Sequence, residues 1–387
     1  MIPYSRQSIS VTDCNNVLKV LKSSFLTQGP KVKEFEKKIK KFTGSKFAVA
    51  TNSGSSSLHI ACLALGVKKN DIVWTVPNTF VASANCAINC GAKIDFVDIN
   101  NETFNISIEK LKNKLILAKK NKKLPKVIIP VHLGGQPSEQ KKIWKLSLKY
   151  KFKILEDASH SIGAKHYGNR VGNCKWSHIT VFSFHPVKII TTGEGGISLT
   201  NNKDLNYKMR LFRDNGISRE RKSLNKHKKK SIWHYEHLDS GFNYRMNDIS
   251  AALGISQLKR INQFIKRRNQ IAKLYNNLLK DIPIKTQKIL PYNYSSYHLF
   301  IIQFDLKKTK LTYNQIFNLF RNNNYYVNLH YMPLHLSPYF KKLGFRKNDF
   351  PNSEEYQKKT LSLPIFYDLK KISVIKIVNL IKKIYKA

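Results

Sequence analysis

Lys46-Phe-Ala-Val-Ala50-Thr51-Asn-Ser-Gly54-Ser-Ser-Ser57-Leu58-His-Ile-Ala-Cys-Leu-Ala-Leu65 is the stretch from which the fold is read. The apolar run 46–50 predicts a short buried strand, the small polar residues 51–57 a turn, and the apolar residues 58–65 a helix. That order presents backbone N–H groups at a helix N-terminus, a geometry that suits a phosphate. Taken alone, the same residues describe an ordinary serine-capped helix.

The pattern repeats downstream. A strand at 71–76 precedes a helix at 80–90, and a strand at 93–97 leads to a helix at 108–118. A strand at 125–131 precedes a helix at 139–149, and a strand at 152–155 runs into Glu156-Asp157. The apolar run 179–184 reads as another buried strand, cut off by Pro186; a strand at 197–200 and a helix at 204–212 follow. Such alternation predicts an α/β protein with a mostly parallel sheet between helices. Ligands of such sheets sit at the carboxyl ends of the strands. The turn at 53–57, Asp157 and Lys188 all fall at or just beyond strand ends.

Upstream, Ser8-Ile-Ser-Val-Thr-Asp13 ends in residues suited to cap a helix at 14–22. A turn-rich arm and an amphipathic helix at 31–42 come next. Downstream, 214–230 is polar and basic and reads as a mobile surface loop. A single long helix over 248–279 suits a connector between domains. After it, strands at 297–304 and 325–329 alternate with helices at 313–322, 353–361 and 371–385, a smaller α+β domain. The chain therefore divides into an N-terminal arm with a large domain, 1–250, and the connector helix with a small domain, 251–387. A length of 387 residues fits two or three domains.

Composition narrows the class. The N-terminus lacks the apolar segment of a signal peptide, and no run reaches the roughly 20 apolar residues that span a bilayer. A soluble cytoplasmic protein is expected. Five cysteines, an odd and sparse set, argue against a disulfide framework. Cys86 and Cys90 share a helix face, but no His or second Cys pair stands near them in sequence, so no metal site is expected. The net charge of +44 comes from 68 Lys and Arg against 24 Asp and Glu. Such a field attracts nucleic acid, anionic lipid or phosphorylated metabolites. The lysines are nonetheless spread along the whole length. The densest runs, 119–126 and 219–230, are not interleaved with aromatics, the pattern of a solvated surface rather than a nucleic-acid site.

The chemistry centres on Val181-Phe-Ser-Phe-His-Pro-Val-Lys188-Ile-Ile-Thr-Thr-Gly193-Glu-Gly-Gly196. A lysine among apolar neighbours is desolvated, which disfavours its ammonium form and equips it as a nucleophilic amine. Such an amine needs a carbonyl partner, and pyridoxal phosphate is a leading one. That cofactor asks for phosphate donors, which the 53–57 turn and Ser183 offer. It also asks for a carboxylate at its pyridine nitrogen, which Asp157 offers, and for a cover over its ring, which Phe80 offers. His160 and Gln136 suit either the ring or ordinary core hydrogen bonds.

Five segments together carry a family resemblance. They are Asn52-Ser-Gly-Ser-Ser-Ser-Leu-His59, Pro77-Asn-Thr-Phe-Val-Ala-Ser83, Glu156-Asp-Ala-Ser-His160, Ser183-Phe-His-Pro-Val-Lys188 with Thr192-Gly-Glu-Gly-Gly196, and Gly241-Phe-Asn-Tyr-Arg245. In order and spacing the chain resembles the DegT/DnrJ/EryC1/StrS sugar aminotransferases, from about Pro3 to the C-terminus. The resemblance implies a fold-type I pyridoxal 5′-phosphate enzyme, a large domain with a mostly parallel sheet plus a smaller C-terminal α+β domain. It further implies a homodimer with shared active sites. By the same carry-over, Lys188 holds the cofactor covalently and moves protons, Asp157 pairs with the pyridinium, and Gly54, Ser55 and Ser183 hold the phosphate. Asn243 reaches the neighbouring subunit's cofactor, while Phe80 and His160 stand as cofactor-binding candidates on the reading of the residues given above.

Ile2-Pro-Tyr-Ser-Arg-Gln, Phe25-Leu-Thr-Gln-Gly-Pro-Lys-Val and the Lys188 segment most resemble the branch acting in pseudaminic acid biosynthesis. There the amino group, from L-glutamate, goes to C4 of a UDP-linked 4-keto-6-deoxy-N-acetylhexosamine. Tyr4, Thr27, His330 and Tyr331 match positions near that sugar nucleotide. Ser55 departs from the usual Thr, keeping the hydroxyl and losing a methyl. The alternatives are another nucleotide-linked keto-sugar, a sugar dehydratase, in which histidine replaces the lysine present here, and a basic nucleic-acid-binding protein on the same fold.

Overall fold

The computed structural model describes residues 1–219 and 233–386. Its centre is a seven-stranded sheet built from β1 (Phe47–Thr51), β2 (Ile72–Thr75), β3 (Lys93–Phe96), β4 (Val127–Ile128), β5 (Lys153–Asp157), β6 (Ile179–Ser183) and β7 (Gly196–Thr200). The strand order is β1-β7-β6-β5-β4-β2-β3. β7 runs antiparallel to both its neighbours, and every other pairing is parallel. The alternation in sequence thus becomes a mostly parallel sheet with one reversed strand.

Side chains alternate across the sheet with period two. Val49, Val127, Leu155 and Val181 face one side and meet Leu58, Ala61 and Cys62 of helix α1 (Gly54–Ala64) and Ala84 and Cys86 of helix α2 (Ala82–Ile88). Ala48, Ala50, Phe182 and Leu199 face the other and meet Phe35 and Ile39 of helix Pro30–Thr43. Further along that face, Trp74, Ile128 and Ile154 pack against Leu111 and Leu115 of one helix and Ile143 and Leu146 of another. Each fully buried large aliphatic or aromatic side chain is worth about 1.5–3 kcal/mol. Most of α1 is buried: from Leu58 on it is mainly apolar, and its polar residues are gathered in the first turns, at the end that meets β6.

Several sequence expectations need correction. The first helix is Val11–Leu21; Ser10 is its cap, and Asp13 closes the capping box from the third helical position. The serines at 55–57 are not a turn: Ser53 accepts from Ser56 N and starts α1 at Gly54. The expected connector 248–279 is two helices, α3 (Asp248–Lys259) and α4 (Ile261–Leu279). Arg260 leaves helical geometry between them, and its guanidinium is taken by Asp13 Oδ2 and Ser8 O of the N-terminal segment. The helix expected at 353–361 stops at Lys359, and Thr360–Leu363 is the strand β10.

That strand closes a small antiparallel sheet, β8 (Ile284–Thr286), β9 (Phe300–Phe304) and β10, in that order. Its core contains Tyr275 of α4, Phe300, Ile302 and Phe304, with Val374 and Ile377 of the last helix, Lys371–Ile384. Ile301, on the opposite face of β9, packs into the large-sheet core instead. The N-terminal Ile2–Pro3 pairs in parallel with Tyr325–Tyr326. Of the basic loop 214–230, Ile217–Ser218 pairs with Glu236–His237; residues 220–230 lie outside the described residues. Cys62 Sγ is 3.6 Å from Cys86 Sγ, both buried in the core. Among the described residues no helix is long and apolar enough to cross a membrane.

Candidate active site

The carboxyl ends of β1, β5 and β6 open on a cavity of about 570 Å³ whose wall includes Gly54, Ser55, Asp157 and Lys188. That volume lies within the roughly 300–1,000 Å³ of small-molecule sites.

Lys188 stands in the loop between β6 and β7. Pro186 ends the strand pattern, and the loop is then laced to itself. Lys188 N donates to His185 O at 2.9 Å, Thr191 Oγ to Phe184 O at 2.9 Å, and Gly193 N to Thr191 Oγ at 2.9 Å. Lys188 is half-buried and opens to the cavity, with the protein around it limiting its contact with bulk water. That desolvation pulls its pKa down to about 8, and the Asp157 carboxylate pulls in the opposite direction.

Asp157, at the end of β5, is 5% exposed and gripped on both oxygens. Oδ2 accepts from Ser83 Oγ at 2.6 Å; Oδ1 accepts from Ser159 N at 3.1 Å and Ser159 Oγ at 2.6 Å. These bonds fix the plane of the carboxylate toward the cavity. Neither serine was singled out from sequence, although both lie in the segments 77–83 and 156–160.

At the other end, the N–H groups of Gly54 and Ser55 are the free first donors of α1 and find no acceptor among the described residues. The hydroxyls of Ser55 and Ser183 line the same end. A Cβ on Gly54 would come within 2.9 Å of Ser183 Cβ, so glycine is what lets the helix start meet the end of β6. A Cβ on Gly196 would stand 2.3 Å from Ser53 O, so β7 approaches the same turn by the same device. Helix N-terminus, two hydroxyls and a close backbone make a cradle for a phosphate dianion. With a lysine amine and a buried carboxylate beyond it, the residues present fit pyridoxal 5′-phosphate.

Phe80, 56% exposed, stands at the mouth with its ring 6.1 Å from that of Tyr331. His160 shares a hydrogen bond with the Tyr331 hydroxyl at 3.1 Å, while its Nδ1 has no partner among the described residues. Burial, with the Lys188 charge adding to it, holds His160 well below the usual imidazole range. His330, down at about 3 for the same first reason, bonds Ser362 Oγ at 2.9 Å. The Tyr4 ring lies edge-on to it at 4.7 Å. Burial also pushes the Tyr331 and Tyr4 hydroxyls up. This part of the wall, His160, His330, Tyr4 and Tyr331, is therefore neutral and hydrogen-bonding beside Lys188 and Asp157.

Ten of the twelve site residues read from sequence thus line one cavity: Tyr4, Gly54, Ser55, Phe80, Asp157, His160, Ser183, Lys188, His330 and Tyr331. Thr27 and Asn243 do not. Both are exposed, each in a single bridge, Thr27 with Asn247 and Asn243 with Asp214. They lie near a second cleft that includes Gln28, Gly29, Asp214 and Arg245. Sequence reasoning missed His185, Glu194 and Asn328, which also line the cavity. It missed His298 too, whose buried ring is 4.3 Å from that of His160. No spacing in the sequence ties 298 to 160.

A seven-stranded sheet with one reversed strand, and a lysine in the loop that enters it, defines the class: a transferase of pyridoxal-phosphate fold type I. Residues 7–382 match the DegT/DnrJ/EryC1/StrS aminotransferase family, and the chain belongs to it. The chain is 37% identical over 374 residues to the Campylobacter jejuni UDP-4-amino-4,6-dideoxy-N-acetyl-beta-L-altrosamine transaminase, covering 95% of this chain and 93% of that protein. A solved Helicobacter pylori aminotransferase involved in the biosynthesis of pseudoaminic acid superposes with a TM-score of 0.89 at 30% identity, over 100% of this chain and 99% of that one. A Streptococcus pneumoniae protein, a sugar aminotransferase by name and solved in its PLP form, superposes at 0.88 with 25% identity, over 100% and 98%. The protein is a sugar aminotransferase of a pyridoxal-phosphate-dependent family.

Proposed function

We propose that this enzyme binds pyridoxal 5′-phosphate and transfers an amino group from L-glutamate to C4 of a UDP-linked 4-keto-6-deoxy-N-acetylhexosamine, in pseudaminic acid or related surface-sugar biosynthesis. The observation that carries the reading is the shared cavity, in which the Lys188 amine and the Asp157 carboxylate face an anion cradle of Gly54, Ser55 and Ser183. The substrate assignment is supported by the likeness to the altrosamine transaminase and to the pseudoaminic acid enzyme.

In this reading Gly54 N, Ser55 and Ser183 hold the phosphate, Asp157 the pyridine nitrogen, and Phe80 and His160 the ring. When bound, the cofactor supplies an electrophilic carbonyl for amine exchange and a conjugated ring that takes up the electron pair left by a departing proton. Lys188 Nζ does the proton work, taking a proton from the donor's α-carbon and delivering one to C4 of the sugar. A pKa of about 8 suits both directions: roughly a quarter of the amine is free at pH 7.5, against on the order of 0.1% at the ordinary lysine value. Asp157, held by Ser83 and Ser159, keeps its charge at a fixed place. Tyr4, His330 and Tyr331 form the wall toward the sugar and exclude water.

Thr27 completes the sugar-nucleotide side and Asn243 serves a neighbouring subunit's cofactor, so the working enzyme is a homodimer with shared sites. The exposed positions of both, outside their own chain's cavity, support that role. The chain divides near residue 250, with α4 bridging the two parts. Phe264 and Ile265 pack in the large-sheet core, and Ile271 and Tyr275 in the small one. Five unpaired cysteines suit a cytoplasmic enzyme. Glutamate-dependent amination over a panel of UDP-4-keto sugars, with product stereochemistry read by NMR, tests the assignment. Amination of no 4-keto substrate, or of a different ring position, overturns it.

A further inference from the structure

Arg268 lies on α4 with 2% of its surface exposed, and no carboxylate bonds it among the described residues. Its Nη1 donates to the carbonyl oxygens of Tyr297 at 3.2 Å, His298 at 3.2 Å and Ile365 at 2.8 Å. Its Nη2 donates to Ser5 Oγ at 3.2 Å. Ser5, itself 3% exposed, passes the bond on by donating to Val187 O at 2.8 Å. A hydroxyl has one hydrogen, and a guanidinium only donates. Accepting from Arg268 and donating to Val187 is therefore the arrangement that satisfies both partners. Val187 O is the carbonyl immediately before Lys188.

The same short segment sets the wall. Tyr4 O accepts from Ile365 N at 2.9 Å, and Ile365 O is the closest of the Arg268 acceptors. Arg268 thus gathers the N-terminal segment, the 297–298 turn beside His160 and the 365 segment, and through Ser5 it reaches the lysine loop. A buried cation without a counter-ion is costly, and desolvation pulls this guanidinium down to about 9. An apolar side chain would fill the space without that cost but would leave the three carbonyls and Ser5 Oγ without the donor that Arg268 supplies.

We propose that Arg268 and Ser5 are positioning residues for aminotransfer, setting the place of Lys188 through the Val187 carbonyl and that of Tyr4 through the segment they anchor. The inference rests on the role of Lys188 given above. The pair touches neither substrate nor cofactor; it acts by keeping the Lys188 amine dry and aimed.

The test uses Ser5→Ala and Arg268→Lys. Acetylation of Lys188 in the cofactor-free protein, followed peptide by peptide by mass spectrometry across pH, reads the amine directly. Turnover constants and melting temperature are measured alongside. In Ser5→Ala water reaches the loop, so the acetylation midpoint rises by half a pH unit or more toward that of free lysine. kcat falls about tenfold or more, and KM for the donor changes less than threefold. Arg268→Lys keeps one donor for Ser5 and shows a smaller shift in the same direction; if it does not fold, Ser5→Ala alone decides. An unchanged midpoint, or kcat within twofold of the parent, overturns the proposal and leaves the pair as fold-holding residues, whatever the melting temperature does. Failure of the Lys188 assignment has a different sign, namely a Lys188→Ala variant that still turns over.

Discussion

Ser83 Oγ donates to Asp157 Oδ2 at 2.6 Å, joining the first turns of α2 to the end of β5 across 74 residues of sequence. Since the Ser83 proton is committed to the carboxylate, the Thr79 hydroxyl 2.7 Å away donates to Ser83 in turn. The orientation of Asp157 therefore depends on the helix that follows Phe80, not only on its own strand. Ser83→Ala removes one of three bonds to this carboxylate. A hydrogen bond to a charged group is worth about 1.5–3 kcal/mol, so pyridoxal phosphate affinity falls on the order of tenfold or more. Titration followed by the cofactor's absorbance measures it; an unchanged affinity would show that Ser159 suffices.

Gly54 offers a second test, of the anion cradle. A Cβ at this position meets Ser183 Cβ at 2.9 Å and presses α1 away from the end of β6. Gly54→Ala separates the two phosphate-side hydroxyls and costs about 1–3 kcal/mol of fit. Inorganic phosphate should protect wild-type protein against thermal unfolding and protect Gly54→Ala much less. Equal protection of the two would remove the cradle from consideration.

What could be read from the sequence and what could not divide along one physical line. The period-two apolar runs and the helix starts are local, and 46–65 alone carried both the strand β1 and the helix α1. Lys188 and Asp157 were legible because Asp157 ends an apolar strand of an α/β sheet and Lys188 follows just beyond another, where ligands gather. The break at Arg260 was not legible, since 248–279 is helical by propensity. What ends α3 is Asp13 and Ser8 taking the guanidinium, a contact across more than 240 positions. β10 was misread for a similar reason. Thr360–Leu363 follows a helix without a Gly or Pro stop, and only pairing with Phe300–Phe304 makes it a strand. The partners that orient the site, Ser83, His298 and Arg268, are long-range contacts of the same kind.

Acid should unfold this protein early. His160 and His298 sit well below the usual imidazole range and His330 is down at about 3, in each case chiefly through burial. All three are neutral in the fold and take up protons on unfolding. Their contribution is fully present above pH about 6.5 and is lost progressively as pH falls toward the folded-state values. The urea midpoint should therefore drop between pH 7 and pH 5, and His298→Phe, apolar and of similar size, should flatten that drop. A pH-independent midpoint in the parent would mean that these imidazoles are hydrated.

Lys188 carries the last prediction, and its sign is opposite to that of a stabilising charge. Its folded-state value of about 8 lies below the ordinary lysine value near 10.5, so in the cofactor-free protein the ammonium form is disfavoured by folding. Below pH 8 both folded and unfolded chains carry the proton, and the full desolvation cost opposes folding. Between pH 8 and 10.5 the folded chain releases its proton first, and stability attributable to this residue rises with pH. Lys188→Met keeps the bulk and removes the charge. The variant should melt a few degrees higher than the parent when both are cofactor-free at pH 7, and the gap should close as pH approaches 10.5. Turnover should be lost at every pH, and so should the shift in the absorbance of pyridoxal phosphate when it is added to the protein. A residue kept at a cost to stability and needed for the reaction is what an active-site lysine predicts. If the variant were less stable at pH 7, the amine would be solvated in the cavity and its activation would have to come from another source.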